Sequence, residues 1–189
     1  MNFANKISTF RILSVPFFIA CFIYYSPQRE CLRYVALAIF MLGVISDAVD
    51  GYIARKSKQV SKAGMILDPL GDKLLLIGAF ITLFLRQDLP GGIYFPLWVT
   101  LIVISRDVLI LLGALVIYIV KQNISVHPTI WGKLTTTFQM LAVITVILQF
   151  NLAFVFWWIA IIFTVVSGVD YIRRGFIILY AVDNQRPAH

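Results

Sequence analysis

Six long apolar runs constrain the fold of this chain more than any other feature. They span approximately residues 9–25, 33–54, 65–85, 93–120, 129–150 and 152–172. Each is close to the ~20 residues with which an α-helix crosses a bilayer, where backbone polar groups must find partners within the segment. Hydrophobic residues make up 60% of the 189 residues and charged residues 13%, which excludes an ordinary soluble domain. We therefore predict an all-α integral membrane fold with six transmembrane helices, a short N-terminal interfacial segment and a single domain over residues 1–189.

The distribution of lysine and arginine predicts the orientation of these helices. Basic residues are concentrated at alternate helix ends, which is typical of the cytoplasmic side. That side carries Lys6, Arg11, Arg55, Lys56, Lys58, Lys62, Lys121, Lys133, Arg173, Arg174 and Arg186. The opposite side has Arg29, Arg33 and Arg86. We expect both termini to be cytoplasmic, and we attribute the net charge of +7 to contact with anionic lipid headgroups, not with nucleic acid.

Four aspartates interrupt the second and third apolar runs near their cytoplasmic ends. Asp47 and Asp50 are three residues apart and Asp68 and Asp72 are four apart, so each pair lies on one face of its helix. A charged residue inside a span costs about 2.5–3.5 kcal/mol on insertion scales and usually marks a functional interior. The short polar connection KSKQVSKAG makes these two helices antiparallel neighbours. We therefore expect the four carboxylates to converge.

A convergent set of carboxylates needs cations to offset its mutual repulsion. Oxygen-only ligand sets suit hard divalent cations such as Mg²⁺, Mn²⁺ or Ca²⁺, whereas Zn²⁺ would recruit histidine or cysteine, which residues 46–73 lack. The small residues Gly51, Ala54 and Gly64 leave two explanations open. They either let a phosphate or ribose approach the backbone, or they serve close helix packing.

The spacing of these residues carries a resemblance. The stretch reads Asp47-x2-Asp50-Gly51-x2-Ala54-Arg55-x8-Gly64-x3-Asp68-x3-Asp72. It resembles, at every fixed position, the signature of the CDP-alcohol phosphotransferase (CDP-alcohol phosphatidyltransferase) family of phospholipid-synthesising enzymes. The layout of six spans extends the resemblance from residues 47–72 to nearly the whole chain.

The resemblance implies the donor, the cofactor and a role for each residue of the signature. The donor would be CDP-diacylglycerol, with its pyrophosphate on a centre of two Mg²⁺ or Mn²⁺ ions. Asp47, Asp50 and Asp68 match the metal-binding carboxylates, and Asp72 matches the general base, which would also contact a second metal ion. The positions that match the cytidine and pyrophosphate pocket are Gly51, Ala54, Arg55 and Gly64.

The N-terminal segment and three basic residues further along suggest additional ligand contacts. Asn5, Ser8 and Arg11 resemble the family's Asn-x-x-Thr/Ser-x-x-Arg segment, which would help to hold the nucleotide. An interfacial helix with an ordinary cytoplasmic arginine explains them equally well. A second set of basic residues is expected to form a pocket for an acceptor that bears a phosphate, and it consists of Arg106, Lys133 and Arg173. Arg106 and Asp107 also have an alternative interpretation, namely an ion pair with each other or with residues of other helices.

Shorter segments around these basic residues look like those of phosphatidylglycerophosphate synthases. The implied reaction transfers the phosphatidyl group from CDP-diacylglycerol to glycerol 3-phosphate and releases CMP. A cardiolipin synthase of the same fold, with phosphatidylglycerol as acceptor, is one alternative. A cation transporter is another, although it would distribute acidic residues across the membrane depth. The resemblance further implies a homodimer in a bacterial inner membrane, or in the mitochondrial inner membrane of a eukaryote.

Overall fold

The described part of the chain forms six α-helices. The computed structural model describes the backbone of residues 3–57, 64–121 and 130–183, and the side chains of residues 9–46, 71, 73–113 and 130–175. The helices are α1 (Phe3–Ile23), α2 (Cys31–Ser57), α3 (Gly64–Leu85), α4 (Leu97–Lys121), α5 (Ile130–Ile147) and α6 (Ala153–Asp183). The described residues contain no strand. The predicted all-α fold and the number of helices are therefore confirmed.

Some helix ends differ from the apolar runs for local reasons. α1 begins at Phe3 and is continuous, so the predicted N-terminal interfacial segment belongs to the same helix as the first apolar run. α4 begins only at Leu97, because Pro96 restricts the backbone before it and Gly92 adopts a left-handed conformation with φ of 65°. α6 has 31 residues and is about 46 Å long at 1.5 Å per residue, which exceeds the thickness of a hydrocarbon core.

The helices pack as two groups of three. α1 lies against both α2 and α3, while α6 lies against both α4 and α5. The groups meet where α3 contacts α4 and α5 and where α2 contacts α5. Aromatic side chains fill much of the buried core, and they include Phe18, Phe22, Phe40, Phe80 and Phe95. Contacts of α3 with both groups make it the central helix of the described fold.

The outer surface of the bundle is apolar, as a lipid-facing surface must be. Large side chains such as Phe17, Leu101 and Ile162 are more than half exposed. Within the described residues, two segments are long and apolar enough to cross a membrane, Ile130–Ile147 and Ala153–Gly175. Shorter apolar stretches occupy Thr9–Ile23, Cys31–Ser46 and Lys73–Leu85. Exposed apolar surface on this scale identifies a membrane protein.

Candidate functional site

The four aspartates of the signature lie on two helices that contact each other. Asp47 and Asp50 belong to α2, and Asp68 and Asp72 belong to α3. Their side chains lie outside the part of the structure that is described. The same holds for the side-chain positions of Asn5, Ser8, Gly51, Ala54, Arg55 and Gly64. Among the described side chains, no group of three or more His, Cys, Asp or Glu could hold a metal ion.

α2 and α3 are in close contact at Gly43 and Leu75. A Cβ atom placed on Gly43 would lie 2.5 Å from Cδ2 of Leu75, so a larger residue there would require the end of the Leu75 side chain to move. Asp47 follows Gly43 by four residues on α2, and Asp72 precedes Leu75 by three residues on α3. Both aspartates therefore lie on the side of the contact that leads to the connection between the helices. At 1.5 Å per residue these distances along the helix axes are about 6 Å and about 4.5 Å. The backbone therefore places these two positions at similar heights.

The other two aspartates also lie at similar heights along their helices. Asp50 follows Gly43 by seven residues and Asp68 precedes Leu75 by seven residues, so each is about 10 Å from the contact along its helix axis. Two antiparallel helices with this register bring both pairs of positions to the same end of the bundle. This arrangement is a precondition for the predicted convergence of the carboxylates, which stays a prediction.

A pocket lies directly next to the contact between Gly43 and Leu75. It has a volume of about 210 Å³ and is lined by Arg11, Phe40, Gly43, Val44, Leu75, Leu76 and Met140. Arg11 is only 1% exposed, and its Cγ would be 3.9 Å from a Cβ atom on Gly43. An arginine that merely anchored an interfacial helix would extend its guanidinium towards the headgroups. Burial of Arg11 inside the bundle therefore argues against the surface anchor, and its contact with the nucleotide stays a prediction.

A buried network of charges connects α3, α4 and α6. The Nζ atom of Lys73 donates a hydrogen bond to Oδ1 of Asp107 over 2.7 Å. The same oxygen accepts a hydrogen bond of 2.7 Å from Nη1 of Arg106, whose Nη2 donates to Oγ of Ser167 over 2.6 Å. Asp107 is fully buried and Arg106 is 6% exposed. Among the described side chains, the network therefore consists of two cations and one carboxylate.

The network answers part of the question that the sequence left open for Arg106. The ion pair with Asp107, one of the two interpretations, is present. Nε of Arg106 and Oδ2 of Asp107 are buried without a hydrogen-bond partner among the described residues. Gly168 makes room for the arginine, since a Cβ atom there would be 3.7 Å from Cγ of Arg106. Arg106 therefore has N–H groups that the network among the described residues does not use.

The other two predicted acceptor contacts differ from Arg106 in their surroundings. Lys133 on α5 and Arg173 on α6 are both exposed. Arg174, next to Arg173, forms an ion pair of 3.0 Å with Asp170. No hydrogen bond or ion pair among the described residues links Lys133 or Arg173 to the network around Asp107.

Polar residues of α5 near Lys133 serve the packing of α5 against α6. Oγ1 of Thr135 lies 2.9 Å from the carbonyl oxygen of Phe163, and Nε2 of Gln139 donates to Oγ1 of Thr164 over 3.1 Å. Thr135, Gln139 and Thr164 are fully buried. Interhelical hydrogen bonds of this kind stabilise helix contacts in a membrane.

Sequence reasoning missed Lys73. It directly follows Asp72, the last residue of the signature, and was not assigned a role. The signal was available, because a lysine in an apolar helix needs a counter-ion. Its partner Asp107 is 34 residues away on another helix, so the pair could not be derived from helical spacing.

The chain is similar to a known family and to several curated proteins. The sequence model of the CDP-alcohol phosphatidyltransferase family matches residues 1–166. A protein of Mycobacterium tuberculosis named "Probable phosphatidylglycerophosphate synthase" is 34% identical over 180 residues, which cover 92% of this chain and 81% of that protein. Proteins named "CDP-diacylglycerol--glycerol-3-phosphate 3-phosphatidyltransferase" occur in Haemophilus influenzae, at 30% identity and 91% and 92% coverage, and in Aquifex aeolicus, at 30% identity and 95% and 99% coverage.

Proposed function

The chain belongs to the CDP-alcohol phosphatidyltransferase family, and we propose that it transfers the phosphatidyl group of CDP-diacylglycerol to glycerol 3-phosphate. The products are CMP and phosphatidylglycerophosphate. The observation that carries this proposal is that relatives named for this reaction match more than 90% of the chain. The complete signature from Asp47 to Asp72 gives independent support, since it supplies the residues that such a reaction needs.

The donor set of the signature fits hard divalent metal ions. Its four carboxylates offer only oxygen ligands, which Mg²⁺ and Mn²⁺ prefer. We assign Asp47, Asp50 and Asp68 as ligands, with Asp72 contributing to a second ion. When bound, such ions neutralise the pyrophosphate of the donor and the departing CMP. The matching heights of these positions on α2 and α3 support this assignment.

Asp72 is assigned as the general base of the transfer. Its carboxylate takes the proton from the attacking hydroxyl of the acceptor. The hydroxyl oxygen forms a bond to the phosphorus that carries diacylglycerol, and the bond between this phosphorus and the oxygen of CMP breaks. The released CMP carries away the electron pair of that bond.

Separate groups of residues hold the donor and the acceptor. The proposed contacts of the cytidine and pyrophosphate are Asn5, Ser8, Arg11, Gly51, Ala54, Arg55 and Gly64. The proposed contacts of the acceptor phosphate are Arg106, Lys133 and Arg173. Burial of Arg11 beside the pocket supports the first group, and the unused N–H groups of Arg106 support the second.

The proposed membrane arrangement follows from the six helices and the positive charges. We infer that all six cross the inner membrane of the cell and that residues 1–189 form one domain. Both termini and the aspartates then face the cytoplasm, where the water-soluble acceptor is available. We also propose a homodimer, whose interface would use part of the exposed apolar surface.

A reconstituted assay tests the proposed function. The purified protein in lipid nanodiscs with Mg²⁺ or Mn²⁺ is expected to release CMP from CDP-diacylglycerol when glycerol 3-phosphate is added. Phosphatidylglycerol, inositol phosphate and serine serve as competing acceptors in parallel reactions. Release of CMP with phosphatidylglycerol alone would contradict the proposed acceptor and identify a cardiolipin synthase.

A further inference from the structure

One carboxylate oxygen in the bundle holds two cations that lie on different helices. Oδ1 of Asp107 accepts hydrogen bonds of 2.7 Å from Lys73 on α3 and of 2.7 Å from Arg106 on α4. Asp107 is fully buried, and the side chain of Lys73 is 15% exposed. Short charge-assisted hydrogen bonds in such surroundings are strong and directional. Their geometry therefore constrains the helices that carry them.

The pair restricts the rotation of α3 about its axis. Successive residues of a helix are separated by about 100° around the axis and 1.5 Å along it, so Lys73 and Asp72 belong to the same turn. Rotation of this turn would pull Nζ of Lys73 away from Asp107, which would keep only its bond to Arg106. A largely buried ammonium group without its carboxylate partner is strongly unfavourable. The contact thus resists displacement of the turn that contains Asp72.

Arg106 is fixed from two sides by the same network. Its Nη1 is bound to Asp107 and its Nη2 is bound to Ser167 on α6. The positions of its unused N–H groups, at Nε and at each Nη, are consequently determined by α4 and α6 together. Asp107 is the residue that both Lys73 and Arg106 share.

We infer that Asp107 and Lys73 are positioning residues that hold the turn carrying the proposed base, Asp72, at a fixed distance from the proposed acceptor contact, Arg106. The inference rests on the proposed function of these two residues. Displacement of a reacting group by about 1 Å reduces turnover by about 100-fold. Loss of the pair is therefore expected to lower kcat much more than it changes the KM of either substrate.

The test compares four variants. They are Lys73→Met, Asp107→Asn, the double variant that combines these two changes, and the conservative variant Lys73→Arg. Lys73→Met keeps the length of the side chain but removes its charge, and it should lower kcat by about 10- to 100-fold, with KM for CDP-diacylglycerol within about threefold of the original. Lys73→Arg retains the charge and should restore most of kcat. Because the two residues act as a unit, the double variant should be no more than about threefold slower than Asp107→Asn. The inference would be overturned if the reductions of kcat in the two single variants multiplied in the double variant. It would also be overturned if Lys73→Arg were as slow as Lys73→Met.

Arg86→Met is the matched control at the other end of α3. The Nη2 group of Arg86 donates to the backbone carbonyls of Phe22 and Ile23, the latter over 2.6 Å, so this variant also removes a cation that ties α3 to a neighbouring helix. It should reduce thermal stability but leave kcat per folded protein unchanged. An equal loss of kcat in Arg86→Met would indicate a general effect of stability and contradict a positioning role.

Amide hydrogen exchange separates this inference from the proposed function. Without substrates, the amides of α3 around Lys73 should exchange at least tenfold faster in Lys73→Met than in the original protein, and at nearly the original rate in Lys73→Arg. Failure of the original protein to release CMP would refute only the proposed function. The exchange rates around Lys73 would still show whether this turn of α3 is held in place, because they are measured without substrates. Unchanged exchange in Lys73→Met would refute the inference, whatever the activity.

Discussion

Gly43 of α2 packs directly against the side chain of Leu75 of α3. A Cβ atom at Gly43 would lie 2.5 Å from Cδ2 of Leu75, which is closer than such atoms approach in proteins. This contact is a point of close approach between the two helices that carry the aspartates. Changes at these two residues therefore affect the packing of α2 against α3 next to the positions of the aspartates.

Gly43→Ala should destabilise the protein by about 1–3 kcal/mol, because the added methyl group overpacks a closed contact. Thermal unfolding in detergent micelles measures the loss. Leu75→Val shortens the opposing side chain and should recover part of the stability in the double variant. Gly175→Ala is the matched control, since a Cβ atom there meets nothing within 4 Å. Equal stability of the two alanine variants would contradict the close contact.

Asp72→Asn should reduce the release of CMP to background, because a carboxamide cannot accept the proton of the acceptor hydroxyl. The change preserves the size of the side chain, so the melting temperature should remain close to the original. Asp88→Asn is the control, because Asp88 is exposed after α3 and bonded only to Arg86 among the described residues. Undiminished turnover in Asp72→Asn would refute the assignment of the base.

Chelation of divalent metal ions should abolish turnover, because the carboxylates of α2 and α3 offer a ligand set of oxygens alone. Treatment with EDTA followed by addition of Mg²⁺ or Mn²⁺ should restore CMP release. Binding of Mn²⁺, measured by electron paramagnetic resonance, should be lost in Asp47→Asn. Full activity in metal-free buffer would contradict the proposed centre.

Arg11→Met should raise the KM for CDP-diacylglycerol by about 10- to 100-fold. A charge-assisted hydrogen bond contributes about 1.5–3 kcal/mol, which corresponds to that range. The KM for glycerol 3-phosphate should change little. Arg33→Met is a matched control, since Arg33 is also buried, at 6% exposure, but lies at the opposite end of the bundle. A normal KM for the donor in Arg11→Met would remove Arg11 from the nucleotide pocket.

Lys133→Met should raise the KM for glycerol 3-phosphate by about 10-fold and leave the KM for CDP-diacylglycerol unchanged, because only the acceptor phosphate contacts this residue in the proposed pocket. Steady-state kinetics with each substrate varied in turn measure the difference. Arg29→Met removes an exposed positive charge from the connection between α1 and α2 and should change neither constant. An effect of Lys133→Met on the donor alone would contradict the proposed pocket.

The sequence predicted the helices well because helix formation in an apolar run is a local property. All six runs became helices, and most boundaries moved by a few residues, for example next to Pro96 and Gly92. The exceptions are α1, which begins at Phe3, and α6, which continues to Asp183, 11 residues beyond the predicted end at residue 172. The signature also located its aspartates on two adjacent helices. The contacts made by their carboxylates stay a prediction, because these side chains lie outside the described part of the structure.

Interhelical partners were harder to predict than the helices. The ion pair between Arg106 and Asp107 was one of two interpretations, since the residues are neighbours in sequence. The bond from Lys73 to the same carboxylate was missed. For Arg11, the sequence allowed both a buried contact and a surface anchor, and its burial favours the first.

The sequence by itself determined the membrane class, the six helices and the family, because hydropathy and a signature at fixed spacing are properties of short stretches of chain. Only the tertiary structure decided the register of α2 against α3, the burial of Arg11 and the joining of Lys73 to Asp107. Lipid is as apolar as the helix surfaces, so hydropathy does not specify which helix faces meet. That choice depends on close packing at small residues such as Gly43 and on polar contacts between residues far apart in the chain.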